Sequence, residues 1–141
     1  VDNETLYKAC DIISLHMPLL ESTRHFVNAE TIAKMKDGVT IINCARGELM
    51  HIPDMIRGIE TQKIGALALD VFDKEDGIYH ENRRDDILSN RDMAYLRQFP
   101  NVIMTQHMAF YTDAAVQSMV FCSIEGLCDF ARTGHTATEL V

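Results

Sequence analysis

Positive charge is scarce in this sequence of 141 residues. Lysine and arginine together number 13, against 21 acidic residues, and the formal net charge is −8. The adjacent basic pair at 83–84 stands among Glu81, Asp85 and Asp86. A surface that binds nucleic acid needs a basic patch, and this sequence offers none. We therefore expect no nucleic-acid partner.

Cys-x-x-Cys pairs are also absent. The four cysteines, Cys10, Cys44, Cys122 and Cys128, stand singly within apolar segments. The absence of a Cys-x-x-Cys pair argues against a cysteine metal site, and the apolar surroundings favour reduced, buried thiols of a cytosolic protein. The sequence predicts no metal site.

Long apolar runs are missing as well. No stretch approaches the roughly 18 uninterrupted apolar residues of a membrane span. Near the start, Asp2 and Glu4 stand where a secretion signal carries positive charge. These features predict a cytoplasmic protein with no membrane partner.

Short apolar runs alternate with helical patterns along the chain. Strands are predicted at 10–15, 39–44, 65–71 and 101–105. Helices are predicted from the cap at Asn28 to about Lys36, from Pro53 to about Gln62, over about 91–98, and from the cap at Thr112 over 113–131. Residues 73–86 are polar and irregular. Strands separated by helices indicate an α/β fold with a parallel sheet, about half of a doubly wound domain, and a third strand covered on both faces.

Three polar residues lie just past the carboxyl ends of predicted strands: Arg46, Glu75 and His107. Open α/β sheets place their chemistry at the carboxyl ends of the strands. A guanidinium, a carboxylate and an imidazole at one sheet edge would form a site that binds a small carboxylate substrate and transfers a proton. Taken singly, each is more often a solvated surface residue, and we interpret the remaining histidines in that way.

The motifs around these residues resemble one family. Asn-x-x-Arg-Gly occupies 43–47, Leu-Asp-x-x-x-x-Glu occupies 69–75, and a histidine before a small and an aromatic residue occupies 107–110. In this order and spacing, the sequence resembles the D-isomer-specific 2-hydroxyacid dehydrogenases, in the branch that acts on lactate and 2-hydroxyisocaproate. The likeness extends over essentially the whole chain. It implies the C-terminal half of a Rossmann-type NAD-binding domain with a long return helix.

The resemblance implies a catalytic role for each of the three residues. Arg46 would grip the substrate carboxylate with its planar fork of donors. His107 would give a proton to the 2-oxo group as hydride arrives from NADH. Glu75 would hydrogen-bond the imidazole and favour its charged form.

The resemblance also implies binding residues. The residues expected around the NAD cofactor are Met17, Pro18, Thr23, Cys44, Ala45, Arg46 and Asp70. Asp70 would lie at the nicotinamide end, and Phe110 and Tyr111 would help to line the substrate pocket. Members of the family are commonly dimers, so the resemblance further implies a homodimer.

Two departures from the family pattern stand out. Gln106 replaces the proline that usually precedes the catalytic histidine, which frees the backbone there. The Gly-x-Gly-x-x-Gly turn for the cofactor diphosphate does not occur in the sequence. We therefore expect a fragment of a two-domain enzyme, with residues 1–131 forming a partial dinucleotide-binding domain and 132–141 a tail that belongs with the substrate domain. The alternative is a non-catalytic, NAD-sensing interaction module of the same fold.

Overall fold

A computed structural model describes residues 1–80, 82 and 90–139. Its elements, in chain order, are α1 (Asn3–Ala9), β1 (Ile12–Leu15), α2 (Ala29–Lys34), β2 (Val39–Asn43), a short 3-10 turn (Gly47–Leu49), α3 (Ile52–Glu60), β3 (Ile64–Leu69), α4 (Arg91–Leu96), β4 (Val102–Met104) and α5 (Asp113–Thr133). Two compact units divide the chain at His107. The first holds the sheet and the second holds α5. The part of the predicted irregular segment at 81 and 83–86 lies outside the described residues.

The four strands form one parallel sheet in the order β1-β2-β3-β4, which confirms the predicted α/β alternation. Because all four strands run in the same direction, their carboxyl ends share one edge. The register aligns Asn43 of β2 with Leu69 of β3, and Leu69 with Met104 of β4. Each predicted catalytic residue thus follows its strand at this shared edge.

One face of the sheet is packed against helices. Its buried side chains include Ile13, Leu15, Ile41, Leu67 and Leu69, and α3 contacts β3 directly. Helices α1 to α4 also contact one another in succession. These contacts place the hydrophobic core on this face of the sheet.

The other face of the sheet is more open than the sequence suggested. Ile12 and Ile103 are 62% and 66% exposed, and on β3 the residues Gly65, Ala66 and Ala68 keep partial or full access to solvent. The prediction that the third strand is covered on both faces is therefore wrong for the described residues. Local apolar character does not show which other segment packs on a strand.

The cysteines are free, but their predicted burial is wrong. Cys10 is half-buried, while Cys44, Cys122 and Cys128 are exposed. Cys44 lies just beyond the end of β2, at the open edge of the sheet. The other two lie on α5, which has no buried residue. Among the described residues, no group of three or more histidine, cysteine and acidic side chains is arranged to hold a metal ion.

Helix α5 begins at the predicted cap and ends at Thr133, two residues beyond the predicted end. The Thr112 hydroxyl accepts from the Ala115 amide, and Gly134 ends the helix in the left-handed conformation. By length and composition alone, α5 is the one helix of the described residues that could cross a membrane. Core helices of soluble proteins meet the same two criteria. Its exposed apolar side chains are Met119, Val120, Phe121, Ile124, Leu127 and Phe130.

Candidate active site

Asp70 connects the carboxyl ends of three strands. Its amide donates to the carbonyl of Asn43 at 3.0 Å, and its own carbonyl accepts from the His107 amide at 2.7 Å. Its carboxylate accepts from the Thr105 hydroxyl at 2.5 Å. Asp70 is only 4% exposed, so these bonds are shielded from water. They fix the loops after β2, β3 and β4 relative to one another.

His107 is held by its backbone and by its ring. Its φ of 54° lies in the left-handed region, which is unusual for a residue other than glycine. The hydrogen bond from the His107 amide to the Asp70 carbonyl holds the backbone in this conformation. Gln106, and not a proline, precedes His107 here. The ring Nδ1 lies 2.5 Å from Glu75 Oε1.

Glu75 uses both carboxylate oxygens. Oε1 accepts from His107 Nδ1, and Oε2 accepts from the Phe72 amide at 2.7 Å. A carboxylate only accepts hydrogen bonds, so Nδ1 carries a proton and Nε2 is the nitrogen left for a substrate. The predicted pair of Glu75 and His107 is therefore in direct contact, with the ring orientation fixed.

The turn that carries Glu75 is anchored in the core. The amides of Ile78 and Tyr79 both donate to the Glu75 carbonyl. Tyr79 is buried, and burial raises the pKa of its hydroxyl to about 12, with a further contribution from the charge of Glu75. The phenol is therefore neutral near pH 7.

Arg46 lies on an exposed turn at the end of β2. Its Nη1 donates to the Ala45 carbonyl at 2.7 Å, which uses one of its five donors. Among the described residues, no carboxylate forms an ion pair with it. The remaining donors of the fork suit a substrate carboxylate.

Gly47 brings the Arg46 turn against the Glu75 loop. A Cβ on Gly47 would lie 2.2 Å from the carbonyl carbon of Phe72 and 2.3 Å from the amide of Asp73. Only glycine allows this approach, because any side chain would overlap backbone atoms. The two loops therefore depend on Gly47 for their contact.

The residues predicted around a cofactor fall into two groups. Cys44 and Ala45 lie on the Arg46 turn. Although the Cys44 residue is exposed, partial desolvation of its thiol and the charge of Asp70 raise the pKa of the thiol, which stays protonated near pH 7. Thr23 lies on the loop after β1, where its hydroxyl donates to the Pro18 carbonyl and accepts from the Leu20 amide, both at 2.8 Å. Met17 lies on the same loop and packs against the core.

Phe110 and Tyr111 belong to the second compact unit. Their rings form an edge-to-face pair with centroids 6.0 Å apart, and both side chains are exposed. The predicted role of these two residues in a substrate pocket stays a prediction.

A cleft of about 620 Å³ adjoins the Glu75 turn. Its lining includes His25, His51, Asp73 and Lys74, but none of the three predicted catalytic residues. A substrate held by the arginine fork and the imidazole would have to lie elsewhere. We do not identify this cleft with the reaction site.

Sequence reasoning missed three parts of this site. Thr105, the Phe72 amide and the contact of Gly47 with the next loop are all structural supports, and only their strand-end positions could have pointed to them. Asn43 belongs to the Asn-x-x-Arg-Gly motif, but the sequence predicted no role for its side chain. Its side chain is fully buried and bonds to the Arg46 turn.

A family model described as the NAD-binding domain of D-isomer specific 2-hydroxyacid dehydrogenases matches residues 1–109. The chain belongs to this family. Its relatives include an aromatic 2-oxoacid reductase of Clostridium sporogenes, 44% identical over 98% of this chain and 42% of that protein. The D-lactate dehydrogenase kk1H of Curvularia clavata is 36% identical over 100% of this chain and 40% of that protein.

Solved structures agree with this assignment. A D-lactate dehydrogenase of Treponema pallidum superposes with a TM-score of 0.95 at 33% identity, covering 100% of this chain and 43% of that one. The D-lactate dehydrogenase of Lactobacillus jensenii with NAD⁺ gives 0.90 at 33% identity, with 100% and 42% covered. The chain spans about two fifths of the length of the curated relatives it matches. Its fold is therefore confirmed as part of an NAD-binding domain of this family.

The site can be tested for its fit to the cofactor of this family. The buried Asp70 carboxylate and the exposed turn at 44–46 lie at the sheet edge where such folds bind dinucleotides. Asp70 is 4% exposed and bonded to Thr105, so its negative charge acts behind the exposed backbone of the turn, and this backbone suits the carboxamide of a nicotinamide. The described edge thus fits the nicotinamide end of NAD.

Replacing Gly47 with alanine tests the contact between the two catalytic loops. In the full-length gene product, Gly47→Ala should lower the free energy of unfolding by about 1–3 kcal/mol, because the new Cβ overlaps backbone. It should also lower 2-oxo acid reduction. Urea unfolding and steady-state kinetics measure the two effects.

Gly38→Ala serves as the control. Gly38, unlike Gly47, has a positive φ, of 77°, and no atom lies within 4 Å of its added Cβ. It should lose some stability through backbone strain and keep its catalytic rate. Equal activity of the two variants would contradict the role of Gly47.

Glu75→Gln tests the carboxylate behind the imidazole. The amide can keep the geometry but not the negative charge that stabilises a charged ring, so kcat for 2-oxo acid reduction should fall on the order of 100-fold. Asp76→Asn removes a neighbouring exposed carboxylate and should leave kcat unchanged. A Glu75→Gln enzyme with the wild-type kcat would show that the contact is not catalytic.

Proposed function

We propose that this protein is an NAD-dependent D-2-hydroxyacid dehydrogenase that reduces a 2-oxo acid to the D-2-hydroxy acid. The observation that carries the proposal is the bond between Glu75 and His107 at the sheet edge that also holds Arg46. Family membership supports the same chemistry. The proposal concerns the whole protein, of which this chain supplies the nicotinamide side of one domain.

The residues of this chain divide the work of reduction. Arg46 holds the carboxylate of the 2-oxo acid with two parallel hydrogen bonds. When bound, NADH supplies the hydride to the carbonyl carbon. His107 gives the proton on Nε2 to the carbonyl oxygen, and Glu75 stabilises the positive charge that the ring carries before this transfer. In the oxidative direction, the same nitrogen takes the proton back.

We infer binding roles for the remaining predicted residues. Around the cofactor we place Met17, Pro18, Thr23, Cys44, Ala45, Arg46 and Asp70, with Asp70 at the nicotinamide. Phe110 and Tyr111 would help to line the substrate pocket. The hydroxyl of Thr23 already organises its loop, so its contribution to binding would come through loop shape.

The substrate we propose is a 2-oxo monocarboxylate. The relatives include an aromatic 2-oxoacid reductase and a D-lactate dehydrogenase, which supports this class. The two candidate substrates are therefore an aromatic 2-oxo acid and pyruvate, the 2-oxo acid that corresponds to lactate. In the part of the chain that the structure describes, Arg46 offers a bidentate site for one carboxylate.

We further propose the setting of the whole protein. Residues 1–131 would belong to the dinucleotide-binding domain, with helix 113–131 leading back to a substrate domain that includes 132–141. The exposed apolar side chains of α5 would then pack against protein. A cytoplasmic homodimer without nucleic-acid or membrane partners fits the acidic composition and the family.

Assaying the full-length gene product tests the function. NADH oxidation with pyruvate and with phenylpyruvate should be fast, and chiral analysis should find the D-hydroxy acid. NADH binding without turnover of any 2-oxo acid would overturn the proposal and favour the sensing module.

Arg46→Lys tests the carboxylate grip separately. Lysine keeps the charge but loses the bidentate fork, so the KM for the 2-oxo acid should rise by about 10–100-fold and kcat should fall. Arg24→Lys, at another exposed arginine, is the control and should leave both unchanged. Unchanged kinetics in Arg46→Lys would remove Arg46 from the mechanism.

A further inference from the structure

The side chain of Asn43 builds the turn that presents Arg46. Its Oδ1 accepts from the Ala45 amide at 3.0 Å, and its Nδ2 donates to the Arg46 carbonyl at 2.8 Å. The first of these bonds is an Asx turn, in which the side chain takes the place of a backbone carbonyl. The side chain is fully buried, so water cannot replace either bond.

The backbone of Asn43 has a separate task. Its carbonyl accepts from the Asp70 amide and so continues the pairing of β2 with β3. The side chain is thus free to close the turn while the main chain stays in the sheet. One residue connects the rigid strand to the exposed arginine.

The turn is also restrained from its other end. Gly47 packs against the backbone of Phe72 and Asp73, immediately after Arg46. The backbone of Arg46 is extended, with φ of −145° and ψ of 139°, and lies between these two supports. The Arg46 carbonyl accepts from the Leu49 amide at 3.3 Å and from Asn43 Nδ2 at 2.8 Å, so the Asn43 side chain supplies the shorter of these two hydrogen bonds.

We propose that Asn43 is a positioning residue for the reaction, which sets where the Arg46 guanidinium meets the substrate carboxylate. This inference rests on the proposed function, because it needs Arg46 to bind the substrate. Asn43 does not touch the substrate. It acts through the turn alone.

A double-mutant cycle in the full-length enzyme tests this inference. Asn43→Ala should raise the KM for the 2-oxo acid by about 10–100-fold, since small displacements of a binding group have effects of that size. In an Arg46→Ala background the same substitution should change the KM less than about 3-fold, because there is no guanidinium left to misplace. Equal effects in both backgrounds would overturn the inference.

Asn101→Ala is the matched control. The Asn101 side chain also donates through Nδ2 to a carbonyl, that of Gly65 at 2.9 Å, but it lies before β4, at the opposite edge of the sheet. Its loss should leave the KM unchanged. A rise equal to that in Asn43→Ala would show a general effect of lost asparagine bonds and overturn the inference.

Asn43→Asp is a second test, for use if the alanine variant does not fold. Aspartate has the same shape and can still accept from Ala45, but it cannot donate to the Arg46 carbonyl, so its KM should rise as well. Failure of both variants to fold, read by urea unfolding, would make Asn43 a residue of the fold and overturn the inference. An unchanged KM in Arg46→Ala alone would instead refute the role of Arg46 in the proposed function.

Discussion

The bonding of Asp70 is the constraint on which the site depends. Its amide, carbonyl and carboxylate each bond to a different residue, namely Asn43, His107 and Thr105. Parallel strands bring their ends to one edge, but they do not by themselves fix the loops that follow. The contacts of Asp70 extend the order of the sheet into those loops, so that Glu75 can meet His107.

Much of this arrangement follows from the sequence. Apolar runs bounded by capping residues predicted the four strands and α5, because burial and caps leave local signals. Arg46, Glu75 and His107 stood out because chemistry in open α/β folds gathers at strand ends. The boundaries differ by a few residues, as with β3, which ends at Leu69. Helix α3 likewise begins one residue before Pro53.

The supports of the site could not be predicted in the same way. The bond between Thr105 and Asp70 joins residues 35 apart in sequence, and the contact of Gly47 with Phe72 depends on how two loops cross. Burial was misjudged for a related reason. The sequence neighbours of Cys122 are mostly apolar. Whether its side chain is buried, however, depends on what packs against α5.

The central claim is that Glu75 fixes His107 so that Nε2 is the working nitrogen. Nitrogen NMR of the full-length protein with labelled histidine, assigned through a His107→Gln variant, reports which ring nitrogen carries the proton. We expect a protonated Nδ1 in the active enzyme, which leaves Nε2 as the nitrogen that exchanges a proton with the substrate. A neutral ring protonated on Nε2 alone would contradict it.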